Sequence, residues 1–181
     1  AIKRAITVYS RIEKEFPGFK DMDAVLFNNA FAHQQVGKNH EASVLFTRLV
    51  EKFPKSPLIA DGTVALGELL YDQGKFGPAL EQFLKIEKMQ KSRVYSYGMY
   101  QAAWAYYNLK ESDNGVKKLL QVVRTTPVLR DGEVPSNRHN LRKEALRDLT
   151  VFIGDSHSAD KLYSFFSGVC EESEIGTAMI D

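Results

Sequence analysis

Apolar residues along this chain recur three and four positions apart, in a succession of stretches each closed by glycine or proline. That spacing lines one face of a helix. It predicts helices over residues 1–16, 22–36, 39–53, 57–73, 76–90, 93–109, 112–126, 141–153 and 157–171, with 174–181 opening another. The one long connection is "PVLRDGEVPSNRHN", residues 127–140, rich in Pro, Gly and Asn, and it reads as a spacer.

Two of the stretches share a skeleton. "GKNHEASVLFTRLVEKFP" runs from Gly37 to Pro54, and "GKFGPALEQFLKI" runs from Gly74 to Ile86. Gly37 and Gly74, Ala42 and Ala79, and Phe46 and Phe83 are each 37 residues apart. The same step backward reaches Ala5, Tyr9 and Pro17, and a step of 36 forward reaches Gly115 and Leu119, with Pro127 closing that copy. A last copy, Gly154, Ala159, Tyr163 and Phe166, matches Gly37, Ala42, Phe46 and Leu49 at a constant offset of 117.

The residue types have physical reasons. Ala42, Ala79, Gly115 and Ala159 come early in the second helix of each pair, where a small side chain lets the two helices approach. Phe46, Phe83, Leu119 and Tyr163 follow one turn later on the same face and fill the seam. Gly37, Gly74 and Gly154 end first helices, where a left-handed C-cap favours glycine. Pro78 falls in a first turn, and Pro17, Pro54 and Pro127 stop second helices. Arg147 falls where the earlier first helices carry Ala30, Gly67 and Ala103; a two-residue slip onto Ala145 is the alternative.

This pattern resembles the tetratricopeptide repeat, with "LGELLYDQGKFGPALEQF", Leu66 to Phe83, as its best match. The resemblance implies an all-α, right-handed superhelical solenoid of antiparallel helix pairs, about five units forming one domain over residues 1–181. A period of 36–37 with an ending such as "FPKS" is similar to the bacterial envelope branch of the family. That branch includes the outer-membrane assembly lipoprotein and the Tol-associated coordinator. It implies a bacterial periplasm or cell-envelope location.

Composition narrows the function classes. The 181 residues are 44% hydrophobic and 26% charged, an ordinary soluble globular balance. A net charge of +1 gives no footprint for nucleic acid, and no stretch is apolar enough for direct membrane insertion. Cys170 is the single cysteine, so no internal disulfide can form. The chain opens on "AIKRAITVYS", already amphipathic and without an initiator Met. It is expected to be a piece of a longer protein, cut within a unit at both ends. Its uncapped apolar edges would then favour self-association in isolation.

Catalytic chemistry has little footing. His33, His40, His139 and His157 are scattered, and His33 and His157 have no Cys, Asp or Glu at ligand spacing on the same face. Glu171 and Glu172 beside Cys170 disfavour a thiolate. Neither a phosphate-cradling glycine loop nor a nucleophile elbow is present. The chain is read as no enzyme, and no cofactor or metal is expected.

The resemblance places a protein or peptide ligand on a concave face lined by first helices. Its positions there are Phe27, Asn28 and Phe31 with Gln34 and Gln35, then Val64, Glu68, Tyr71 and Asp72. Tyr97, Tyr100, Gln101, Trp104, Tyr107 and Asn108 follow, and Glu144, Asp148, Val151 and Phe152 complete the face. The aromatic stripe Tyr97, Tyr100, Trp104 and Tyr107 has two readings, core between neighbouring units or ligand surface. Met99, Ala103 and Tyr106 on the opposite face can already supply the seam, and polar tips suit a half-wet surface. The carboxylate clamp of chaperone-binding members is not matched: only Asn28 has a counterpart, and Ala65 and Gln101 replace the others. Three functions remain open. These are a non-catalytic scaffold with a groove-bound partner, a stacking segment of an envelope or motility assembly, and a regulatory arm of an enzyme.

Overall fold

The computed structural model describes residues 1–128, 130, 134, 136–154, 159–171 and 174–175, leaving aside the side chains of 138, 139, 154 and 159–161. Among the described residues there are helices and no strands: α1 (Ile2–Glu15), α2 (Met22–Gln35), α3 (Asn39–Lys52), α4 (Ile59–Asp72), α5 (Phe76–Ile86), α6 (Tyr95–Asn108), α7 (Ser112–Thr125), α8 (Asn137–Gly154) and α9 (Ala159–Ser167). They fall into two compact units, Ala1–Ser92 and Arg93–Asp181. In the first, α2 pairs with α3 and α4 with α5, while α1 packs on α2 and α3 on α4. In the second, α6 pairs with α7, and α8 packs on both and also meets α9. Each is an all-α array of tetratricopeptide-like helix pairs.

Local chemistry accounts for the ends. α1, α3 and α7 each stop two residues before Pro17, Pro54 or Pro127, since the residue before proline is driven out of the α region. Gly37 (φ 76°) and Gly74 (φ 73°) adopt the left-handed conformation that turns α2 into α3 and α4 into α5. At the α6–α7 turn the same role falls to Lys110, at φ 65°. A side chain there carries a steric cost that glycine avoids.

The seams follow the repeat. Ala42, Ala79, Phe46, Phe83 and Leu119 are fully buried. Approach is so close at Gly67 that an added Cβ would lie 2.4 Å from the Phe83 ring. Burying one such phenylalanine contributes about 2–3 kcal/mol.

The last pair departs from the expected phase. Tyr163, expected in the seam, is 52% exposed, while Phe166 is fully buried. Arg147 is exposed and Ala145 fully buried, so the small seam position of α8 is Ala145. α8 also begins at Asn137, four residues before the predicted start, and shortens the connection. Val64 and Phe152, expected on an open face, are buried. Phe152 instead fills the space left by Gly115, where a Cβ would meet its ring at 2.4 Å.

α1 has no buried residue. Ala5 and Tyr9 are half-buried, where their counterparts Ala42 and Phe46 are fully buried, and Ile2 and Val8 are exposed. α1 thus leaves apolar side chains exposed. Residues 176–181, expected to form the other edge, lie outside the described residues.

Arg142 on α8 is 7% exposed, and periodicity assigned it no role. Its Nη1 donates to the carbonyls of Val123 and, at 3.2 Å, Thr126. It thereby satisfies acceptors at the C-terminus of α7, where a cation is also favoured by the helix dipole. Its Nε and Nη2 donate to the two carboxylate oxygens of Glu174 at 2.8 and 2.9 Å. Burial pushes the Glu174 carboxyl upward, but the Arg142 hydrogen bonds and the Glu171 N–H outweigh it and hold the group below its ordinary range.

Two outcomes follow. Lys110→Gly should raise stability by about 0.5–1 kcal/mol, relieving a left-handed lysine, as read from the denaturation midpoint. Glu174→Gln should cost about 2 kcal/mol or more near neutral pH, by leaving a buried guanidinium half-paired. Because the folded carboxyl is depressed, its stabilisation is present above the unfolded value and lost as pH falls through the folded one. Urea unfolding of the two proteins should therefore converge in acid.

Candidate functional site

α6, "YSYGMYQAAWAYYN", divides its faces by side-chain size. Met99, Ala102, Ala103 and Ala105 are fully buried, which lets its neighbours approach closely. The larger polar-tipped aromatics lie on the remaining faces. Tyr100 donates its hydroxyl to Asp148 Oδ2 at 2.7 Å, and Trp104 donates its indole N–H to the same oxygen at 2.9 Å. Phe152, one turn further along α8, meets Trp104 edge-on at 5.3 Å between ring centroids and Tyr107 at 4.7 Å. Trp104 and Tyr107 also meet edge-on, at 5.5 Å. Asn108 donates its amide to the Trp104 carbonyl at 2.9 Å.

The stripe is thus divided by function. Tyr100, Trp104 and Tyr107 are half-buried and join α6 to α8. Burial and donation to Asp148 push the Tyr100 phenol well above the ordinary tyrosine value, so it stays a hydrogen-bond donor. Tyr97 differs. It is 37% exposed and accepts a hydrogen bond from Gln101 Nε2 at 2.9 Å.

Tyr97 borders a cleft of about 430 Å³ lined also by Arg93, Ser96, Asn137, Asn140, Leu141 and Glu144. It lies where the N-terminal turns of α6 and α8 come together. Of its lining, the helical pattern singles out Tyr97 and Glu144 and places Asn137 and Asn140 in the spacer. The available signal was Ser136, a favoured residue just ahead of a helix, whose carbonyl accepts the Asn140 N–H at 3.0 Å.

The other expected face residues belong to the Ala1–Ser92 unit. Phe27 packs edge-on against Phe46 at 5.7 Å and so contributes to the core. Phe31 and Asn28 are exposed, and the Asn28 amide bonds its own helix at Ala24 O, 2.8 Å away. Glu68 and Tyr71 are half-buried, Tyr71 lying edge-on to Phe76 at 5.0 Å.

Among the described residues no group of three or more His, Cys, Asp or Glu can hold a metal ion, and no helix is long and apolar enough to cross a membrane. His157 lies outside the described residues. The Cys170 thiol is pushed up by burial and then by Glu174, with Arg142 pulling the other way. Among the described residues the carboxylate that acts on the thiol is therefore Glu174 rather than Glu171, and Glu172 lies outside the described residues.

The tetratricopeptide-repeat family model matches residues 97–127, which span most of α6 and all of α7. Among curated proteins, none matches the chain. Solved structures share the fold. A Podosopora anserina protein assigned as a kinesin light chain, with nearly identical TPR-like repeats, superposes with a TM-score of 0.65 at 16% identity, covering 98% of this chain and 86% of its own. A point variant of it gives 0.66 at 16% identity, with 93% and 86% covered. BtubC (BKLC) from P. vanneervenii gives 0.65 at 16% identity, with 98% and 77% covered. At this identity the likeness establishes a TPR-like fold of stacked helix pairs.

Asp148→Ala should leave the Tyr100 hydroxyl and Trp104 indole without their acceptor and cost about 1–3 kcal/mol. It should also bring Tyr100 ionisation back toward the ordinary value of 10.0, seen as tyrosinate absorbance appearing at lower pH. In the unaltered protein the folded pKa is raised. The corresponding stability is therefore full below the ordinary value and is lost only as pH climbs through the folded one.

Proposed function

We propose that this chain is a non-catalytic protein-interaction scaffold that holds an extended segment of a partner along the α6–α8 face. The observation that carries the reading is the exposed Tyr97 ring beside a cleft of about 430 Å³ whose largely apolar walls carry a few amide and charged groups. Tyrosine supplies contact area at low conformational cost. Asn137, Asn140, Arg93 and Glu144 add amide and charged groups suited to a peptide backbone and its side chains. Tyr100, Trp104 and Tyr107 support the same face from behind, locked by Asp148 and Phe152, so little ordering is left for binding to bring about.

A second reading is a stacking segment of a larger assembly. The half-covered seam residues Ala5 and Tyr9 and exposed Ile2 and Val8 of α1 favour it. A bacterial envelope setting belongs to the proposal and rests on the 36–37-residue period and its "FPKS" ending. Periplasmic fractionation of the native protein tests it.

Selection of displayed random peptides on the purified chain distinguishes the two readings. The scaffold reading expects peptides whose affinity falls about tenfold with Tyr97→Ala but is unchanged by Tyr163→Ala, an exposed tyrosine on α9. A stacking segment without a groove ligand yields peptides indifferent to Tyr97, or none.

A further inference from the structure

In the Ala1–Ser92 unit a pocket of about 360 Å³ with polar and apolar lining opens where α1, α2 and α3 meet. Ser10 and Glu13 face it from α1, Asn29 and His33 from α2, and His40 and Glu41 from α3, over a wall of Val44 and Leu45. The α6–α8 face contains none of these residues, and this site stands or falls independently of it.

Two of these side chains keep a buried atom without a partner. Asn29 is 2% exposed and His33 8% exposed, yet neither Asn29 Oδ1 nor His33 Nδ1 has a hydrogen bond. Orphaned buried polar atoms are rare in folded proteins and call for an explanation. The orientation of Asn29 is set by its neighbour. Its Nδ2 donates to Glu13 Oε1 at 2.7 Å, while Glu13 Oε2 accepts from Arg48 Nη1 at 2.6 Å. Asn29 therefore presents its carbonyl oxygen as the spare group. His33 in the Nε2–H tautomer likewise presents an acceptor at Nδ1.

With the His33 ring proton on Nε2, the surplus is of acceptors. Glu13 and Glu41 add two carboxylates. Arg48 offsets the first, and Lys38 lies 3.8 Å from the second in an exposed, weak pair. A ligand group that only donates and carries positive charge complements this set. Guanidinium does so with five donors in a planar fork, on a stem that Val44 and Leu45 can line.

We propose that this pocket receives the guanidinium of an arginine side chain presented by a partner protein. Asn29 Oδ1 and His33 Nδ1 accept from its fork, and the carboxylate of Glu41 balances its charge. Glu13 holds Asn29 in the accepting orientation and is itself held by Arg48.

The test is an NMR titration of the chain with N-acetylarginine methylamide, alongside the neutral isostere N-acetylcitrulline methylamide and the lysine analogue. Arginine should shift the His33 and His40 ring signals saturably, with half-saturation on the order of 1–10 mM for so small a probe. Citrulline should bind at least about tenfold more weakly, and lysine should fall between them. Glu41→Gln, an exposed change, should weaken arginine about threefold or more. Asn29→Leu should abolish the His33 response, with helix content followed by circular dichroism. If that variant does not fold, Glu41→Gln decides alone. Absence of saturable shifts overturns the proposal and leaves a water-filled pocket. Citrulline binding equal to arginine, or arginine binding indifferent to Glu41→Gln, overturns it as well. Lysine equal to arginine overturns the guanidinium assignment.

Discussion

Close approach of the two helices within each pair is the constraint on which the rest depends. Ala42 and Ala79 keep the seam thin, and Phe46 and Phe83 fill it one turn later. The backbones come near enough at Gly67 that a single methyl group would collide with the facing ring. Packing of this density tolerates little change in volume, in either direction. It also dictates the turns. Helices held so closely need an abrupt reversal, and the left-handed residues at Gly37, Gly74 and Lys110 supply it.

That same constraint made much of the fold legible. Small-then-large residues at fixed phase, glycine at the reversal and proline at the stop are local requirements, so they leave a periodic trace. The trace located helices α1 to α7 closely, with only α5 ending earlier than its pattern suggested. It misled at Tyr163, which the constant offset put in the seam, whereas Phe166 at the same offset is buried and Ala145, the alternative to Arg147, is the small residue of α8 that turns inward. A repeat that shifts phase by two residues still looks periodic, and only packing partners reveal which face turned inward.

The candidate site was legible in part, for a related reason. Helical spacing identified the α6 stripe, but the polar tips of Tyr100 and Trp104, which suit a half-wet surface by pattern, are tied to a carboxylate 48 and 44 residues away, and Arg48 reaches Glu13 across 35. Arg142 closes onto Glu174 across 32. Pairs of this kind obey no period, because neighbouring helices place them in register independently of sequence distance. Polar residues that look solvated by pattern turn out to be fasteners between helices. Asn29 and His33 are a different case, since spacing alone gives no sign that a polar side chain will keep a buried atom without a partner.

The shared oxygen of Asp148 has a further consequence. Trp104 is the sole tryptophan of the chain, and its indole N–H is tied to that oxygen at 2.9 Å. Its emission therefore monitors the Arg93–Asp181 unit alone, because the unit before it contains no indole. Helix dichroism registers both. The protein carries an intrinsic optical label on one of its two halves, and a mismatch between the two signals during unfolding would show the halves melting separately, with no dye or engineered reporter.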